Sequence, residues 1–377
     1  MITSPAFKNR KFALLGLARS GLAAAHSLAA GGAQLLAWDN DEGARAKVAD
    51  IATIADLLDA DLSGFDGIVV SPGVPINRHP IADKAKAEGI PLIGDIELFS
   101  MARPHLPPHR VIGITGTNGK STTTALVHHL LKSAALPTRL AGNIGLPILS
   151  QAPLSAGGVY VLELSSYQID ITHTLACEAA ALINLAPAHR DRYYGYEGYM
   201  ASKARLFDMQ TAKQHSVFGK GDDDTARIYR EVLAKRGASV VHLADGAQIQ
   251  GQADWPSLQG PPDLQNVAVA IALGEALRIT EAQWRPALAS FKGLAHRMEI
   301  VTERNGVLFV NDSKATNAAS TAPALAAYPR VHWIVGGLAK SDNLDECMPN
   351  FGHVVKAYTI GEAGPLFTKL LSPHMPV

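Results

Sequence analysis

The chain has 377 residues, which at roughly 150 residues per domain indicates two or three domains. Lys and Arg number 34 and Asp and Glu also number 34, so the zero formal net charge argues against a nucleic acid or a membrane recruited by bulk charge. Apolar residues make up 47% and charged residues 18%, which fits a globular protein and excludes a disordered or coiled-coil chain.

Strand and helix patterns alternate along the sequence. Short apolar runs that end in Gly, Asp, Ser or Asn predict buried strands: KFALLG, AQLLAWD, DGIVVSPG, RVIGITG, VYVLELSS, AAALINLA, GVLFVND, HWIVGG and VVKAYTIG. Ala-rich stretches with helical period separate them, for example Leu22–Ala30, Thr122–Ala135 and Asn266–Leu277. The alternation predicts an α/β protein with parallel sheets covered on both faces, whose ligands bind outside the carboxyl ends of the strands.

Two changes in composition suggest where domains begin. A Pro-rich linker, ARPHLPPHR, precedes the strand at residue 110, and a second break follows an Ala-rich helical region near 291–297. We therefore expect three domains, at residues 1–102, 103–295 and 296–377. The last has only three strand patterns before Val377, so we expect its sheet to be incomplete.

The sequence predicts neither a secretion signal nor a membrane span. The first residues, MITSPAFKNRKFALLG, have no apolar segment followed by a cleavage site. The longest uncharged stretch, 141–162, is interrupted by Asn143 and by several glycines and prolines. Cys177 and Cys347 are too few for a disulfide scaffold and lie in no CxxC motif. We expect a cytoplasmic monomer.

The strongest local motif is VIGITGTNGKSTTT at 111–124. A buried strand leads into a Gly-rich turn, and Lys-Ser opens the next helix. Backbone N–H groups of such a turn bind phosphate at a helix N-terminus, Lys120 is placed to reach the terminal phosphates, and the Ser121 hydroxyl can hold magnesium. The spacing departs from G-x-x-x-x-G-K-[ST], because Ile114 stands five residues before Gly119. The motif still predicts a nucleotide phosphate site rather than an ordinary strand–helix turn.

GTNGKST resembles the phosphate loop of the ATP-dependent Mur ligases, which join an amino acid to a UDP-muramyl precursor of peptidoglycan, and of the related folylpolyglutamate synthases. Further motifs follow in that family's order: GNIG at 142–145, ELSSYQ at 163–168, His189 in NLAPAHRDRY, Lys203 in YMASKARLF, LAHR at 294–297 and NDSKATN at 311–317. ELSSYQ and NDSKATN are most similar to the members that add D-glutamate. The resemblance covers nearly the whole chain and implies a Rossmann-like N-terminal domain, a central P-loop ATPase domain and a Rossmann-like C-terminal domain.

The resemblance implies a site for ATP and two magnesium ions. The nucleotide would contact Gly116, Thr117, Asn118, Gly119, Lys120, Ser121, Thr122, Asn266, Arg297 and Asp312. The ions would be held by Ser121, Glu163, His189 and Lys203, with Lys203 carbamylated so that its ammonium becomes an anionic oxygen ligand. Without the resemblance, the residue patterns favour simpler roles. Glu163 would be a capping or ion-paired residue, His189 a structural histidine and Lys203 a solvated lysine, and NDSK would be the capped start of a helix.

The N-terminal loop GLARSG and the acid Asp39 after the second strand are Rossmann-like, but the loop lacks the full G-x-G-x-x-G, which makes an NAD site a weak alternative. The resemblance implies instead that this domain binds the UDP of the muramyl substrate. The residues concerned are Leu17, Ala18, Arg19, Ser20, Asp39, Ser71, Pro72 and Gly73, with Asn143 of GNIG at the sugar or peptide end.

The resemblance implies an ADP-forming amide ligase. ATP would phosphorylate the carboxylate of UDP-N-acetylmuramoyl-L-alanine, and the amine of D-glutamate would attack the resulting acyl phosphate. The expected catalytic residues are Lys120, Lys203, His189 and Arg297, and those expected to hold D-glutamate are Lys314, Thr316 and Lys340. Most of the catalysis would be positioning and charge neutralisation, with domain closure before turnover.

Three features depart from the family's pattern. Ala188 stands where an aspartate usually precedes the metal histidine, and Arg190 follows it in place of an apolar residue, which predicts weaker metal binding. GPPDLQN at 260–266 replaces a G-x-H-N-x-x-N helix start, which predicts altered adenine contacts. Family members also continue beyond Val377, which predicts an incomplete amino-acid site. The alternatives are another amide ligase of the superfamily and a catalytically weakened nucleotide-binding protein.

Overall fold

The computed structural model describes residues 1–187, 192–193, 195–339 and 343–377. Parallel sheets with helices on their faces confirm the predicted α/β class. The described chain forms two compact units, Met1–Gln248 with Gln265–Ala287 and Ile249–Leu264 with Leu288–Val377. Within these ranges, none of the helices combines the length and the apolar character that crossing a bilayer requires.

The first unit begins with a five-stranded parallel sheet in the order β3-β2-β1-β4-β5. Its strands are β1 (Lys11–Leu15), β2 (Gln34–Trp38), β3 (Thr53–Ile54), β4 (Gly67–Val70) and β5 (Leu92–Ile93). Its helices are α1 (Arg19–Ala30), α2 (Glu42–Ala46), α3 (Ile81–Glu88) and α4 (Asp95–Ala102). The order reverses between β1 and β4, so the loops that follow these two strands lie side by side, as at the ligand-binding edge of other doubly wound sheets.

The same unit contains a six-stranded parallel sheet in the order β11-β10-β9-β6-β8-β7. Its strands are β6 (His109–Thr115), β7 (Thr138–Gly142), β8 (Gly158–Glu163), β9 (Ala179–Leu182), β10 (His215–Gly219) and β11 (Val241–Ala244). Its helices are α5 (Lys120–Ser133), α6 (Ser166–Asp170), α7 (Gly195–Asp208) and α8 (Asp223–Arg236). Strand β6 pairs with both β8 and β9, and Ile114 is in register with Glu163, so the ends of these strands meet at one edge.

Helix α4 joins the two sheets of this unit. Phe99 packs edge-on against Tyr160 of β8, with ring centroids 5.0 Å apart. The buried carboxylate of Glu97 accepts hydrogen bonds from the backbone N–H groups of His173 (2.7 Å) and Thr174 (3.0 Å) and from the Thr174 hydroxyl (2.7 Å). Because burying a carboxylate is costly unless its oxygens are satisfied, these bonds determine where α4 lies on the second sheet.

The remaining elements lie further along the chain. They are α9 (Pro261–Ala276), α10 (Glu281–Ser290), β12 (Glu299–Arg304), β13 (Val307–Asn311), α11 (Ala318–Ala326), β14 (Val331–Gly336), β15 (Val354–Ile360) and α12 (Gly364–Leu371). Strands β14 and β15 pair in parallel, as predicted. The second unit has its own hydrophobic core, which includes Trp333, Cys347, Phe367 and Leu371.

The expectation that GVLFV belongs to a parallel sheet was wrong. This strand, β13, forms a two-stranded antiparallel hairpin with β12. The turn consists of Asn305 at φ +53° and Gly306 at φ +73°. Two consecutive residues with positive φ make the tight hairpin turn that Asn-Gly favours, so this dipeptide was the signal that the strand pattern overlooked.

Candidate active site

The phosphate loop connects β6 to α5 near the middle of the six-stranded sheet. Gly119 has φ +80°, and a Cβ placed on it would lie 2.2 Å from Asn266 Oδ1, so only glycine allows the loop to approach this side chain. Helix α5 begins at Lys120, so the positive end of its dipole lies at the loop. This geometry suits an anion such as a phosphate.

Asn184, which the sequence analysis missed, holds the loop from the segment that follows β9. Its backbone oxygen accepts a hydrogen bond from Thr117 N (2.9 Å), its Oδ1 accepts one from Asn118 N (2.8 Å), and its Nδ2 donates to Asn118 O (3.2 Å). The Thr117 hydroxyl accepts a hydrogen bond from Ala186 N (3.0 Å) and lies 3.1 Å from Tyr199 Oη. The loop is therefore held in shape by the protein itself.

Two lysines converge on the carbonyl oxygens of the loop. Lys120 Nζ donates to Gly116 O (3.0 Å) and Thr117 O (2.8 Å). Lys203 Nζ donates to the same Gly116 O (2.9 Å) and to Thr115 Oγ1 (3.3 Å). Both ammonium groups thus lie at the loop, where the negative charge of an anion would offset their repulsion.

Lys203 is 1% exposed, so the alternative of a solvated lysine was wrong. Its ammonium lies 4.7 Å from the centroid of the Tyr199 ring. Burial and, after it, the charge of Lys120 lower the pKa of Lys203 well below its ordinary value, while Asp170 and Glu163 oppose this shift. A larger share of this lysine is therefore the uncharged amine than for a lysine in water.

Glu163, the last residue of β8, is 2% exposed. Its Oε1 accepts a hydrogen bond from Asn143 Nδ2 (2.9 Å), and Asn143 N donates to Glu163 O (2.8 Å). Its Oε2 is buried and has no hydrogen-bond partner among the described residues. A buried carboxylate oxygen that lacks a protein partner fits a hard cation such as Mg²⁺.

The other predicted metal ligands are only partly described. Ser121 is buried in the first turn of α5. His189 lies outside the described residues, as do its neighbours Ala188 and Arg190. Within the described ranges, no group of three or more His, Cys, Asp or Glu side chains is arranged to hold a metal ion.

The predicted UDP residues gather at the carboxyl edge of the five-stranded sheet. Asp39 Oδ2 accepts a hydrogen bond from Leu17 N (2.6 Å), and the Ser71 hydroxyl donates to Gly16 O (2.8 Å). These bonds join the loops after β1, β2 and β4, which also contain Ala18, Pro72 and Gly73, and Ser20 lies in the first turn of α1. Arg19 donates to Gly145 O (2.8 Å) and so ties this edge to the GNIG segment that contains Asn143.

Asp95, another residue that the sequence analysis missed, lies beside this edge as the first residue of α4. It is 3% exposed, and its Oδ1 accepts a hydrogen bond from Ile96 N (3.0 Å). Burial raises the pKa of Asp95 to about 6, although the Ile96 N–H acts in the opposite direction. The carboxylate is therefore ionised at neutral pH at a cost in stability.

We expect Asp95→Asn to stabilise the protein at pH 8 and to have little effect near pH 4. Because the folded pKa of about 6 lies above the ordinary value of 3.8, the folded state binds the proton more tightly, and stability falls as pH rises from about 4 to about 6. About two pKa units correspond to at most about 3 kcal/mol. Urea unfolding at both pH values measures this, with exposed Asp59→Asn as control. An equal effect of Asp95→Asn at both pH values would contradict it.

Of the remaining predicted residues, Asn266 lies in the first unit, and its Oδ1 accepts a hydrogen bond from the Thr123 hydroxyl. The described residues Arg297, Asp312, Lys314 and Thr316 lie in the second unit. Met298 N donates to Asp312 Oδ1 (3.0 Å), and Lys314 N donates to His296 O (3.0 Å), so the LAHR and NDSKATN segments are held together.

The Asp312 carboxyl in this pair of segments has a raised pKa because of burial, which Met298 N–H and Arg297 oppose. Helix α11 is capped by Asn317, with Ser320 completing the capping box, so NDSK is not the cap of this helix. Thr316 lies immediately before that cap. Lys340 lies outside the described residues.

The glycine loop between a buried parallel strand and a helix defines an α/β protein of the P-loop class. A model of the Mur ligase middle domain matches residues 114–272. The UDP-N-acetylmuramoylalanine–D-glutamate ligase of Novosphingobium aromaticivorans is 66% identical over 377 residues, covering 100% of this chain and 85% of that protein. The protein of the same name from Sphingopyxis alaskensis is 54% identical, covering 96% of this chain and 84% of its own length. The chain belongs to the family of UDP-N-acetylmuramoylalanine–D-glutamate ligases.

Solved structures of Mur ligases have the same fold. The MurF ligase of Thermotoga maritima in complex with ADP has a TM-score of 0.58 at 16% identity and covers 100% of this chain and 86% of its own. The UDP-N-acetylmuramate–alanine ligase MurC of the same organism has a TM-score of 0.56 at 16% identity, covering 97% of this chain and 89% of its own. These similarities confirm the Mur ligase architecture that the sequence predicts.

Proposed function

We propose that the chain is an ADP-forming ligase that adds D-glutamate to UDP-N-acetylmuramoyl-L-alanine in the synthesis of peptidoglycan precursors. Similarity to ligases of this name along the whole chain supports the substrates. The observation that carries the chemistry is the meeting of the phosphate loop, the buried Lys203 and the buried Glu163 at one sheet edge. Phosphoryl transfer depends on such an arrangement of cations and metal ligands.

ATP and Mg²⁺ follow from membership of this ligase family. By the family resemblance, ATP would be bound by residues 116–122, Asn266, Arg297 and Asp312. Ser121, Glu163, His189 and carbamylated Lys203 would hold two magnesium ions. When bound, the ions would neutralise negative charge on the phosphate oxygens. The buried Glu163 Oε2, which has no partner among the described residues, fits this role.

Carbamylation of Lys203 is supported by its surroundings. The depressed pKa of its amine favours the neutral form, and only that form can attack CO₂. In this step a new N–C bond forms, Nζ loses a proton, and a carbamate anion results. The reaction replaces a buried positive charge, which lies close to Lys120, with a negative one. It therefore removes a repulsion between two cations at the loop.

The proposed reaction proceeds through two substitutions. A carboxylate oxygen of UDP-N-acetylmuramoyl-L-alanine attacks the γ-phosphorus of ATP, and ADP leaves. The D-glutamate amine then attacks the acyl carbon, the C–O bond to phosphate breaks, and the amine loses a proton as phosphate departs. Lys120 would offset the charge that accumulates when two anions meet. Arg297 would stabilise phosphate charge.

The loops of the five-stranded sheet would bind the UDP moiety through Leu17 to Ser20, Asp39 and Ser71 to Gly73, and Asn143 would contact the sugar or peptide end. Lys314, Thr316 and Lys340 would hold the D-glutamate carboxylates. We propose domain boundaries near residues 102 and 295, a monomeric state and action in the cytoplasm. Closure of the domains would precede turnover.

The test is release of ADP and phosphate by the purified chain with magnesium-ATP and UDP-N-acetylmuramoyl-L-alanine, with and without D-glutamate. We expect release that requires D-glutamate and that yields the amide product by mass spectrometry. L-glutamate and meso-diaminopimelate serve as competing acceptors. Turnover with one of these and not with D-glutamate would indicate another ligase of the superfamily, and ATP binding without turnover would indicate a nucleotide-binding protein that has lost catalysis.

A further inference from the structure

Arg192 is a buried cation to which neither the sequence motifs nor the proposed chemistry assigns a role. It is 7% exposed. One guanidinium nitrogen donates to Val74 O (2.7 Å), and the guanidinium carbon lies 4.4 Å from the centroid of the Tyr167 ring. Burying a guanidinium is costly unless it is bonded and stacked, so this placement indicates a specific task.

The carbonyl that Arg192 contacts belongs to one of the proposed UDP loops. Val74 N donates to Ser71 O (2.9 Å), which closes the turn that contains Pro72 and Gly73. The Ser71 hydroxyl in turn donates to Gly16 O (2.8 Å) of the neighbouring loop. By holding Val74 O, the arginine fixes the end of a turn whose other end is tied to the loop after β1.

The stacking partner of Arg192 belongs to the six-stranded sheet. Tyr167 lies in α6, four residues after Glu163. The neighbouring Tyr193 donates a hydrogen bond to Asp170 Oδ2 (2.7 Å) and lies 3.3 Å from Ser202 Oγ, the residue before Lys203. Arg192 and Tyr193 therefore connect the UDP edge to the elements that hold Glu163 and Lys203.

These contacts surround a cavity of about 330 Å³. Its lining includes Ile76 and Asn77, which follow the 71–74 turn, and Asp170, Arg192, Tyr193 and Gly198 from the side of the six-stranded sheet. The polar lining comes from both sides of this junction, with Asn77 on one side and Asp170 and Arg192 on the other, so Arg192 borders a space that the two sides share.

We propose that Arg192 is a positioning residue that holds the 71–74 turn at the distance from the phosphate loop that the UDP-muramyl substrate requires. The proposal rests on the proposed function. It predicts that loss of the guanidinium weakens binding of the UDP-linked substrate and leaves the binding of magnesium-ATP unchanged, because the phosphate loop is held separately by Asn184.

The test compares Arg192→Gln, Arg192→Lys and the wild type by calorimetric binding of UDP-N-acetylmuramoyl-L-alanine and of magnesium-ATP, followed by KM and kcat. Arg205→Gln is the matched control, since Arg205 also donates to a backbone carbonyl, Thr172 O (3.1 Å), but at α7. We expect Arg192→Gln to raise the Kd and KM for the UDP-linked substrate about tenfold or more, with the Kd for ATP within about twofold. Lysine should restore part of the loss, because it keeps the charge but lacks the planar face.

Equal affinity of Arg192→Gln and the wild type for the UDP-linked substrate would overturn the proposal. So would an equal loss of affinity for both ligands, which is what a general loss of structure produces. If the glutamine variant does not fold, the test uses Arg192→Lys. An affinity of the lysine variant for the UDP-linked substrate equal to that of the wild type would also contradict the proposal. A wild-type chain that fails to bind UDP-N-acetylmuramoyl-L-alanine would refute the proposed function instead.

Discussion

Replacing Lys120 with alanine is expected to lower D-glutamate-dependent ADP release roughly a thousandfold, the upper range for loss of one donor that stabilises developing charge. The Lys120 ammonium donates hydrogen bonds to Gly116 O and Thr117 O, at the loop where the terminal phosphates of ATP are proposed to bind. Without it, the attack of a carboxylate on a phosphate would proceed with one less positive charge at the reacting oxygens. Initial rates of ADP and phosphate release at saturating substrates measure the effect.

Lys132→Ala is the matched control for this variant. Lys132 lies in the last turn of the same helix, is exposed, and is remote in sequence from the loop. We expect its removal to leave the rate within about twofold of the wild type, as surface substitutions usually do. A Lys120→Ala variant that keeps more than a tenth of the wild-type rate would show that its charge is not needed at the phosphates.

Replacing Lys203 with alanine is expected to lower D-glutamate-dependent ADP release by a factor similar to that expected for Lys120→Ala. Small carboxylates such as acetate should restore part of the lost rate. The side chain is fully buried, so its removal leaves a cavity beside Gly116 and Thr115 that a carboxylate can enter. Lys203→Arg should not be restored, because the guanidinium fills the space and keeps its positive charge. Rates across a series of acetate concentrations measure the rescue.

The wild type allows an independent measurement of the carbamate. Removal of CO₂ from the buffers should lower its rate, bicarbonate should restore it, and ¹³CO₂ should produce a carbamate signal in the ¹³C spectrum that Lys203→Ala lacks. A wild-type rate that is unaffected by CO₂, together with no carbamate signal, would mean that Lys203 acts as an amine. Its role would then be to donate to Gly116 O and support the loop.

The local motifs were the most predictable part of the molecule. The run VIGITGTNGKST contains a strand, a turn and a helix start within twelve residues, so short-range patterns suffice to recognise it. Strands β3 and β5 were overlooked because each has only two residues. Strand β7, TRLAG, was overlooked because it begins with polar residues and ends with glycine.

The missed site residues have a common cause. Asn184 acts on the loop at 117–118 and Arg192 on Val74, both far away in the sequence, and the raised pKa of Asp95 comes from its burial in the folded chain. A single asparagine, aspartate or arginine has no local pattern that separates it from a surface residue. The only available signal was the position of Asn184 near the carboxyl end of the predicted strand AAALINLA, where sheet edges place ligand-binding groups.

The sequence by itself determined the α/β class, the phosphate loop and the family, because glycine positions, apolar periodicity and motif order are properties of neighbouring residues. Only the tertiary structure decided the burial of Lys203, the buried Glu163 Oε2 without a hydrogen-bond partner among the described residues, and the antiparallel pairing of β13. Desolvation and strand pairing depend on which distant segments meet. The pKa of Lys203 illustrates the difference: the same lysine on the same helix has its ordinary pKa in water and a much lower one beside Lys120 in the protein interior.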